Sequence, residues 1–400
     1  MFQKLKNLFH FFQAVLANIY YGFPSKKLKV IGVTGTDGKT TTTHLIYHIL
    51  KTAGKKVSMV SSVYAKVGEK VYDTGFHVTT PDVFPLQRLL WESVKNGDEY
   101  FVLETTSHAL YQNRVFGIQY EVGVLTNVTH EHLDMHHTLE AYTEIKSRLL
   151  KRAKFSVTNA DDFSYLLIRK LLPDKKLYFY SLTKSSRFKT LDIAGFNKHN
   201  YLAAYTVCKV FNISDTIIFE AFKNFELPKG RFEIIATKPF TVVVDFAHTP
   251  NGINEILKDV KKRFIKEKSR LIHVFGSAAK RDRTKRPFMG EASGTYADLV
   301  ILTEEDYRDE DPIKIASEIA DGLEKKGFKK ISPDEFGSQS KKYTIITDRK
   351  KAIKKAIETG RKGDVIITTG KGHETSLCRG NKEYPWDERR AIYDSLRSST

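Results

Sequence analysis

From Leu28 onward the chain alternates short runs of β-branched and apolar residues with longer stretches of helical spacing. LKVIGVTG is a β-branched run ending in glycine, which predicts a strand entering a turn. TTTHLIYHILKTAG repeats its apolar residues at helical intervals and closes on Gly54, which predicts a helix. KVSMVSSV, YFVLETTS, VGVLTNV and KFSVTNA read as further strands of the buried type, and FNKHNYLAAYTVCKVF as another helix. Strand and helix in alternation predict an α/β fold with a largely parallel sheet. At LPKGRFEII, Leu227 to Ile235, Pro and Gly interrupt the pattern and mark a domain boundary. Beyond it TVVVDFAH, RLIHVFGS, DLVILTEE, YTIITD and DVIITTG predict a second, Rossmann-like α/β unit of about five strands. The expected division is residues 1–27, 28–229 and 230–400, with no internal repeat.

The first stretch, MFQKLKNLFHFFQAVLANIYYGF, places Phe2, Leu5, Phe9, Phe12, Leu16 and Tyr20 at helical spacing. Lys4, Lys6, Asn7, His10, Gln13 and Asn18 break it up too often for a membrane span, which needs about 20 mostly apolar residues. It lacks the unbroken apolar centre and cleavage site of a signal peptide. A helix packed by its apolar face on its own protein is the first expectation. A helix lying on a membrane surface, as a peripheral contact, is the alternative.

Composition narrows the picture. A chain of 400 residues implies two or three domains, and 41% hydrophobic with 28% charged residues is ordinary for a globular protein. Only Cys208 and Cys378 are present, in no metal-like spacing, which argues against a disulfide framework or zinc knuckle and fits a reducing, cytoplasmic setting. The net charge of +18 favours anionic partners. The lysines are spread, however: Lys258, Lys261, Lys262, Lys266 and Lys268, and Lys350, Lys351, Lys354 and Lys355, follow helical patterns of solvated faces. No basic run is interleaved with aromatics, so no nucleic acid is expected as partner.

Two stretches carry chemistry. VIGVTGTDGKTTTTHLI is strand, glycine turn, Lys-Thr and helix, the arrangement that cradles a nucleotide's phosphates. Gly35, Thr36, Asp37, Gly38, Lys39, Thr40 and Thr41 are the candidate contacts. Lys39 supplies charge, and Thr40 can coordinate Mg2+. The strict P-loop pattern fails, because Val33 stands where its first glycine belongs. THEHLDMHH, Thr129 to His137, packs four histidines and two carboxylates together. It fits the zinc-hydrolase pattern HxHxDH badly, since Met135 occupies the last histidine's place.

The loop TGTDGKTTTT, in the form GTxGKTTT, resembles the Mur ligase family, ATP-dependent amide ligases of peptidoglycan synthesis, and most of all its MurE type. LETTSHAL is similar to that family's EVSSHAL, and NVTHEHLDMHHTLEAYTEIKSRLL to its N-T-x-D-H-L-D…K segment. GFNKHNYLAA, LPKGRFE, DFAHTP, KRDRTKRPFMG and GKGHE match further blocks in the family's order, so the resemblance runs from Tyr21 to the C-terminus. It implies a P-loop central domain that binds ATP and a Rossmann-like C-terminal domain. It also implies two Mg2+ ions. One is held by Thr40 and Glu104, the other by His132 and a carbamylated Lys146, which with Lys39 make the catalytic set. Glu104 ends the strand YFVLE, where ligands of open α/β sheets belong. His130, His136 and His137 then have no metal role.

The resemblance further implies adenosine contacts at Asn200, Arg231 and Asp245. The plain alternatives are helix surface for Asn200 and an interdomain ion pair for Arg231. It implies acceptor contacts at Thr79 and Thr80 of HVTTPD and at Thr106, Gln112 and Arg114. For the threonines a helix cap before Pro81 is the competing reading. Arg281, Arg308, Gly370 and Glu374 match the amino-acid site. Two arginines and a glutamate suit meso-diaminopimelate, but EDYR, Glu305 to Arg308, replaces the diaminopimelate signature DNPR. Lysine or another diamino acid is the second expectation.

The implied reaction joins an amino acid to a muramoyl-peptide acceptor through an acyl phosphate, in the cytoplasm or peripherally at the inner face of the membrane, by a monomer. In this sequence about 30 residues precede the loop. The resemblance therefore leads one to expect that the family's N-terminal UDP-binding domain is absent and that the acceptor is UDP-linked or lipid-linked. A folylpolyglutamate-synthase-like ligase is the nearby alternative, opposed by the TTPD and GKGHE blocks. A partner-dependent, non-catalytic ATP-binding subunit is opposed by Lys39, Thr40, Glu104, His132 and Lys146 standing together.

Overall fold

The computed structural model describes residues 2–73, 79–129, 131, 138–266, 269–337 and 339–398, with side chains from residue 6 onward. The chain forms two compact units, Met1–Thr129 with His136–Pro228, and His130–Met135 with Lys229–Thr400.

The first unit runs α1 (Phe2–Tyr20), a 3-10 turn (Pro24–Lys27), β1 (Lys29–Thr34), α2 (Lys39–Thr52), β2 (Val57–Val60), β3 (Ala65–Val67), β4 (Lys70–Tyr72), α3 (Val83–Lys95), β5 (Tyr100–Glu104), α4 (Ser107–Tyr111) and β6 (Tyr120–Leu125). It continues with α5 (Leu139–Arg152), β7 (Phe155–Asn159), α6 (Ser164–Leu171), β8 (Leu177–Tyr180), α7 (Ser186–Lys189), α8 (Asn197–Val210) and α9 (Asp215–Lys223). Its strands form one sheet in the order β4-β3-β2-β5-β1-β6-β7-β8. It is parallel except for the β2–β3–β4 edge, which runs antiparallel. Alternation along β1 supplies both faces. Ile31 and Val33 pack with Leu45, Ile49, Val102, Leu202 and Val207, while Val30 packs with Leu86, Phe101, Leu103 and Leu149. The register sets Val33 beside Glu104, so the phosphate turn and that carboxylate share one sheet edge.

α1 corrects an expectation. It packs through its small residues: Ala14 and Ala17 are buried with Val83 of α3 and Phe116. Asn18 donates to the carbonyls of Ala14 (2.7 Å) and Phe116 (3.1 Å), and Phe11 meets the Phe116 ring edge-on. Phe9, Phe12, Leu16 and Tyr20, expected to face inward, are 56–77% exposed. Small side chains let the helix approach closely where large ones would hold it off. Among the described residues no helix is long and apolar enough to cross a membrane.

The second unit runs β9 (Glu233–Ala236), β10 (Thr241–Val244), α10 (Pro250–Phe264), β11 (Leu271–Phe275), α11 (Lys285–Tyr296), β12 (Leu299–Leu302), α12 (Pro312–Lys325), β13 (Lys329–Lys330), β14 (Lys342–Ile345), α13 (Arg349–Thr359), β15 (Val365–Thr368), the hairpin strands β16 (Ser376–Arg379) and β17 (Lys382–Pro385), and α14 (Glu388–Ser398). Its main sheet has the order β13-β14-β12-β11-β15-β10-β9. β9 is antiparallel to β10, and all other pairs are parallel. Val242, Val244, Ile272, Val274, Leu299, Ile301 and Ile366 line a core closed by Ile353, Ile357 and Ile392. Side-chain caps start the helices: Thr249 accepts from the Gly252 amide, Asp311 from Ile313 and Asp348 from Lys351. The sequence shows the five apolar strands. β9 and the two-residue β13 extend the sheet on pairing alone, which no local pattern announces.

Candidate active site

The phosphate turn connects β1 to α2. Gly38 has φ of +81°, and a Cβ there would fall 2.1 Å from Asn200 Oδ1, so both conformation and space require glycine. The turn is fastened to the end of β6: Asn127 O accepts from the Thr36 amide (2.9 Å) and Asn127 Oδ1 from the Asp37 amide (2.9 Å). Thr126 donates to Asp37 O at 2.7 Å, and the Thr129 amide donates to Thr36 Oγ1 at 2.9 Å. Lys39 folds back on the turn and donates to Thr36 O at 2.7 Å. Thr41 is buried in the first turn of α2.

Glu104 is buried at the end of β5. Its Oε1 accepts from Thr40 Oγ1 at 3.0 Å and its Oε2 from the Ser62 amide at 2.8 Å. Thr40 Oγ1 also meets Ser62 Oγ at 2.9 Å. A buried carboxylate bound by a hydroxyl and an amide, with no cationic side chain bonded to it among the described residues, is a donor set suited to a hard divalent ion. Lys146, 1% exposed, donates to Gly35 O at 2.6 Å and lies over the Tyr142 ring. Thr40, Glu104, Lys39 and Lys146 therefore gather around one turn. His130, His132, Asp134, His136 and His137 lie outside the described residues. Glu131 among them is described: its carboxylate accepts from Lys285 Nζ at 3.1 and 3.2 Å, and the same amine donates to His248 O.

The acceptor candidates form a second group in the same unit. Thr80 donates to Glu104 O (3.0 Å) and accepts from the Thr106 amide (3.0 Å). Arg114 donates to Thr80 O at 2.7 Å and to Asp82 at 3.3 Å. Burial lowers the Arg114 pKa, against the pull of Asp82. The competing reading of Thr79 and Thr80 as a helix cap fails, because the residue at the N-cap of α3 is Asp82. Thr106 instead caps α4, accepting from Ala109. Gln112 closes α4, and its amide donates to His108 O. Thr79 is half-buried beside them. Asn200 is not helix surface: it is buried, accepts from Thr42 at 3.4 Å and abuts Gly38.

In the second unit Arg231 lies over the Phe246 ring, 4.3 Å from its centre. Asp245 accepts from the Phe232 and Ala247 amides at 2.8 and 2.7 Å. Arg281 is half-buried between β11 and α11. Arg308 has φ of +50° and bonds through its backbone to Cys378 and Gly380. Lys371 Nζ, fully buried, joins Asp306 (2.9 Å) and Glu374 (2.5 Å). Glu305 is buried beside Gly370, its Oε2 without a hydrogen-bond partner among the described residues. Burial pushes its pKa up to about 7, with Lys371 pulling the other way. Ser62, Asn127, Lys371, Asp306 and Glu305 are missing from the sequence-derived set. Lys371 stood in the GKGHE block and Asn127 in the NVT block, so both were within reach. Ser62 had no signature.

A Mur ligase middle-domain model matches residues 33–221, and a model described as Mur ligase, glutamate ligase domain matches residues 230–372. The chain belongs to the Mur ligase family, whose members are ATP-dependent ligases. It is 36% identical over 404 residues to the UDP-N-acetylmuramoyl-L-alanyl-D-glutamate--2,6-diaminopimelate ligase of Aquifex aeolicus, covering 95% of this chain and 80% of that one. It is 37% identical to the protein of the same name from Caldanaerobacter subterraneus, covering 96% and 82%. A solved ligase of that name superposes with a TM-score of 0.57 at 28% identity over 93% of this chain and 78% of its own. A bifunctional folylpolyglutamate synthase/dihydrofolate synthase from Yersinia pestis, solved with AMPPNP and Mn ion, shares the fold with a TM-score of 0.69 at 15% identity, covering 90% of each chain.

Proposed function

We propose that the protein uses ATP to join a diamino acid, diaminopimelate or lysine, to the D-glutamate of a muramoyl-dipeptide acceptor. The observation that supports this most is the Thr40–Glu104 pair seated beside the Lys39 turn. In this reading residues 28–229 transfer the phosphoryl group and residues 230–400 bind the amino acid. The protein acts as a monomer in the cytoplasm, with α1 as a peripheral attachment.

The chain's own groups have distinct tasks. The amides at the start of α2 and the Lys39 ammonium neutralise the phosphates. Asn200 closes the turn behind them, while Arg231 and Asp245 hold the adenosine. Thr80, Thr106, Gln112 and Arg114 orient the acceptor so that a carboxylate oxygen faces the γ-phosphorus. That oxygen bonds to phosphorus as the bond to ADP breaks. The amine, having lost its proton, then attacks the acyl carbon, and phosphate leaves with the acceptor's oxygen. Arg281 and Arg308 bind the amino acid's carboxylates, and Glu374 its distal amine. Thr40 and Glu104 would hold one magnesium ion, and His132 with a carbamylated Lys146 a second; when bound, these ions would supply charge neutralisation at the transferring phosphoryl group.

The test is phosphate release with a panel of amino acids, with and without UDP-muramoyl-dipeptide. Release that requires both cosubstrates supports the reading and names the amino acid. Release with a folate and glutamate instead overturns it.

A further inference from the structure

Among the described residues eighteen large apolar side chains reach the surface, and six of them, Leu8, Phe9, Phe12, Leu16, Ile19 and Tyr20, stand on α1, each at least half exposed. At 3.6 residues per turn these positions, continued by positions 2 and 5, fall within about a third of the helix circumference, and every position in that arc is apolar. The opposite face is the one already used for packing, through Ala14, Ala17 and Asn18. The helical register puts positions 4 and 6, both lysine, on the two borders of the arc, and α1 contains no acidic residue. At its C-terminal end Tyr20, Tyr21 and Trp91 form a chain of ring contacts, with Lys95 3.7 Å from the Trp91 ring centre and Lys26 4.7 Å from that of Phe23.

We infer that α1 docks on the surface of a bilayer rich in anionic lipid. The apolar arc enters the boundary between headgroups and acyl chains. Lys6 on its border meets lipid phosphate, and the Tyr–Trp cluster sits at headgroup depth, where amphipathic rings are favoured. The sign of the charge selects this occupant: a chain of net charge +18 gains from an anionic surface, and a second copy offers no acidic residue in α1 to meet the lysines. Attachment of this kind would keep the protein at the membrane without a spanning helix. The inference stands apart from the ligase reading, since vesicle binding and phosphate release are separate readouts.

The experiment is co-sedimentation of the full chain with vesicles of phosphatidylcholine alone or with one third phosphatidylglycerol. Binding to the anionic vesicles is expected, with at least a tenfold weaker partition for Phe12→Ser/Leu16→Ser and for Leu8→Ser/Ile19→Ser. Lys6→Gln is expected to weaken it about fivefold, the effect of one basic residue near an anionic surface. Circular dichroism and phosphate release with soluble substrates should stay unchanged in all three variants. Absence of binding by the wild type, or binding by both serine pairs as tight as the wild type's, overturns the inference. So does a dimer, seen by sedimentation velocity, that the serine pairs abolish while vesicle binding stays absent.

Discussion

Around the phosphate turn Glu104 is held by a threonine hydroxyl and a serine amide, whereas in the second unit Glu304 is held by Arg379 at 2.5 Å and Glu388 by Arg349 at 2.7 Å. Among the described residues the first arrangement leaves a buried carboxylate whose charge is met by neutral donors. The second cancels charge with charge and spends its ions on structure. Glu305 is the exception there, a buried carboxyl close to Lys371 and its two acids but with one oxygen unbonded among the described residues. The contrast teaches where added cations have a place: beside the turn, and not in the ion-paired core of the second unit.

The largest break in that contrast is expected from Lys39→Ala. Removing the Lys39 ammonium from the turn should lower the rate of phosphate release about a thousandfold, measured at saturating cosubstrates, with the melting curve unchanged. Arg349→Ala should act on stability instead. It strands the Glu388 carboxylate, which is 2% exposed, and should cost about 3–5 kcal/mol in denaturant unfolding. Arg349→Met with Glu388→Leu should recover most of the loss, because the pair then leaves no buried charge.

Glu305→Gln gives a smaller effect with a diagnostic pH dependence. The native carboxyl keeps its proton to about pH 7, while the unfolded one releases it near 4.5, the ordinary glutamate value. The native state therefore binds more protons between these values, and its stability falls as pH rises through them. Glutamine removes that loss. The variant should be more stable than the parent by roughly 1–3 kcal/mol at pH 8, and the gain should vanish at pH 4. Smallest of all is Lys29→Ala. The Lys29–Glu99 pair is almost half exposed on both sides, so its removal should shift stability by less than about 1 kcal/mol.

The two units also differed in how much the sequence disclosed. A phosphate turn needs particular residues at consecutive positions, because Gly38 must take a positive φ and Lys39 and Thr40 must open the helix. Such demands are local and readable. The parallel strands were readable for a similar reason, since both their faces are buried and their apolar runs are continuous. The charge network was not, because Glu304 and Arg379 stand 75 positions apart and neither has a distinctive neighbourhood. Ser62 met Thr40 and Glu104 only through the pairing of β2 with β5. In α1 the reading assumed that the largest apolar residues face inward. The packing went to Ala14 and Ala17, a choice made by the shape of the neighbouring surface and not by hydrophobicity.

The central claim is that the Lys39 turn drives phosphoryl transfer onto the acceptor's own carboxylate. Its most direct test is one turnover with an acceptor labelled with oxygen-18 in that carboxylate, followed by mass analysis of the released phosphate. The account predicts one labelled oxygen in each phosphate, formed only when ATP and the amino acid are both present and lost with Lys39→Ala. Phosphate that carries oxygen from water, with the acceptor's label left untouched, would contradict it.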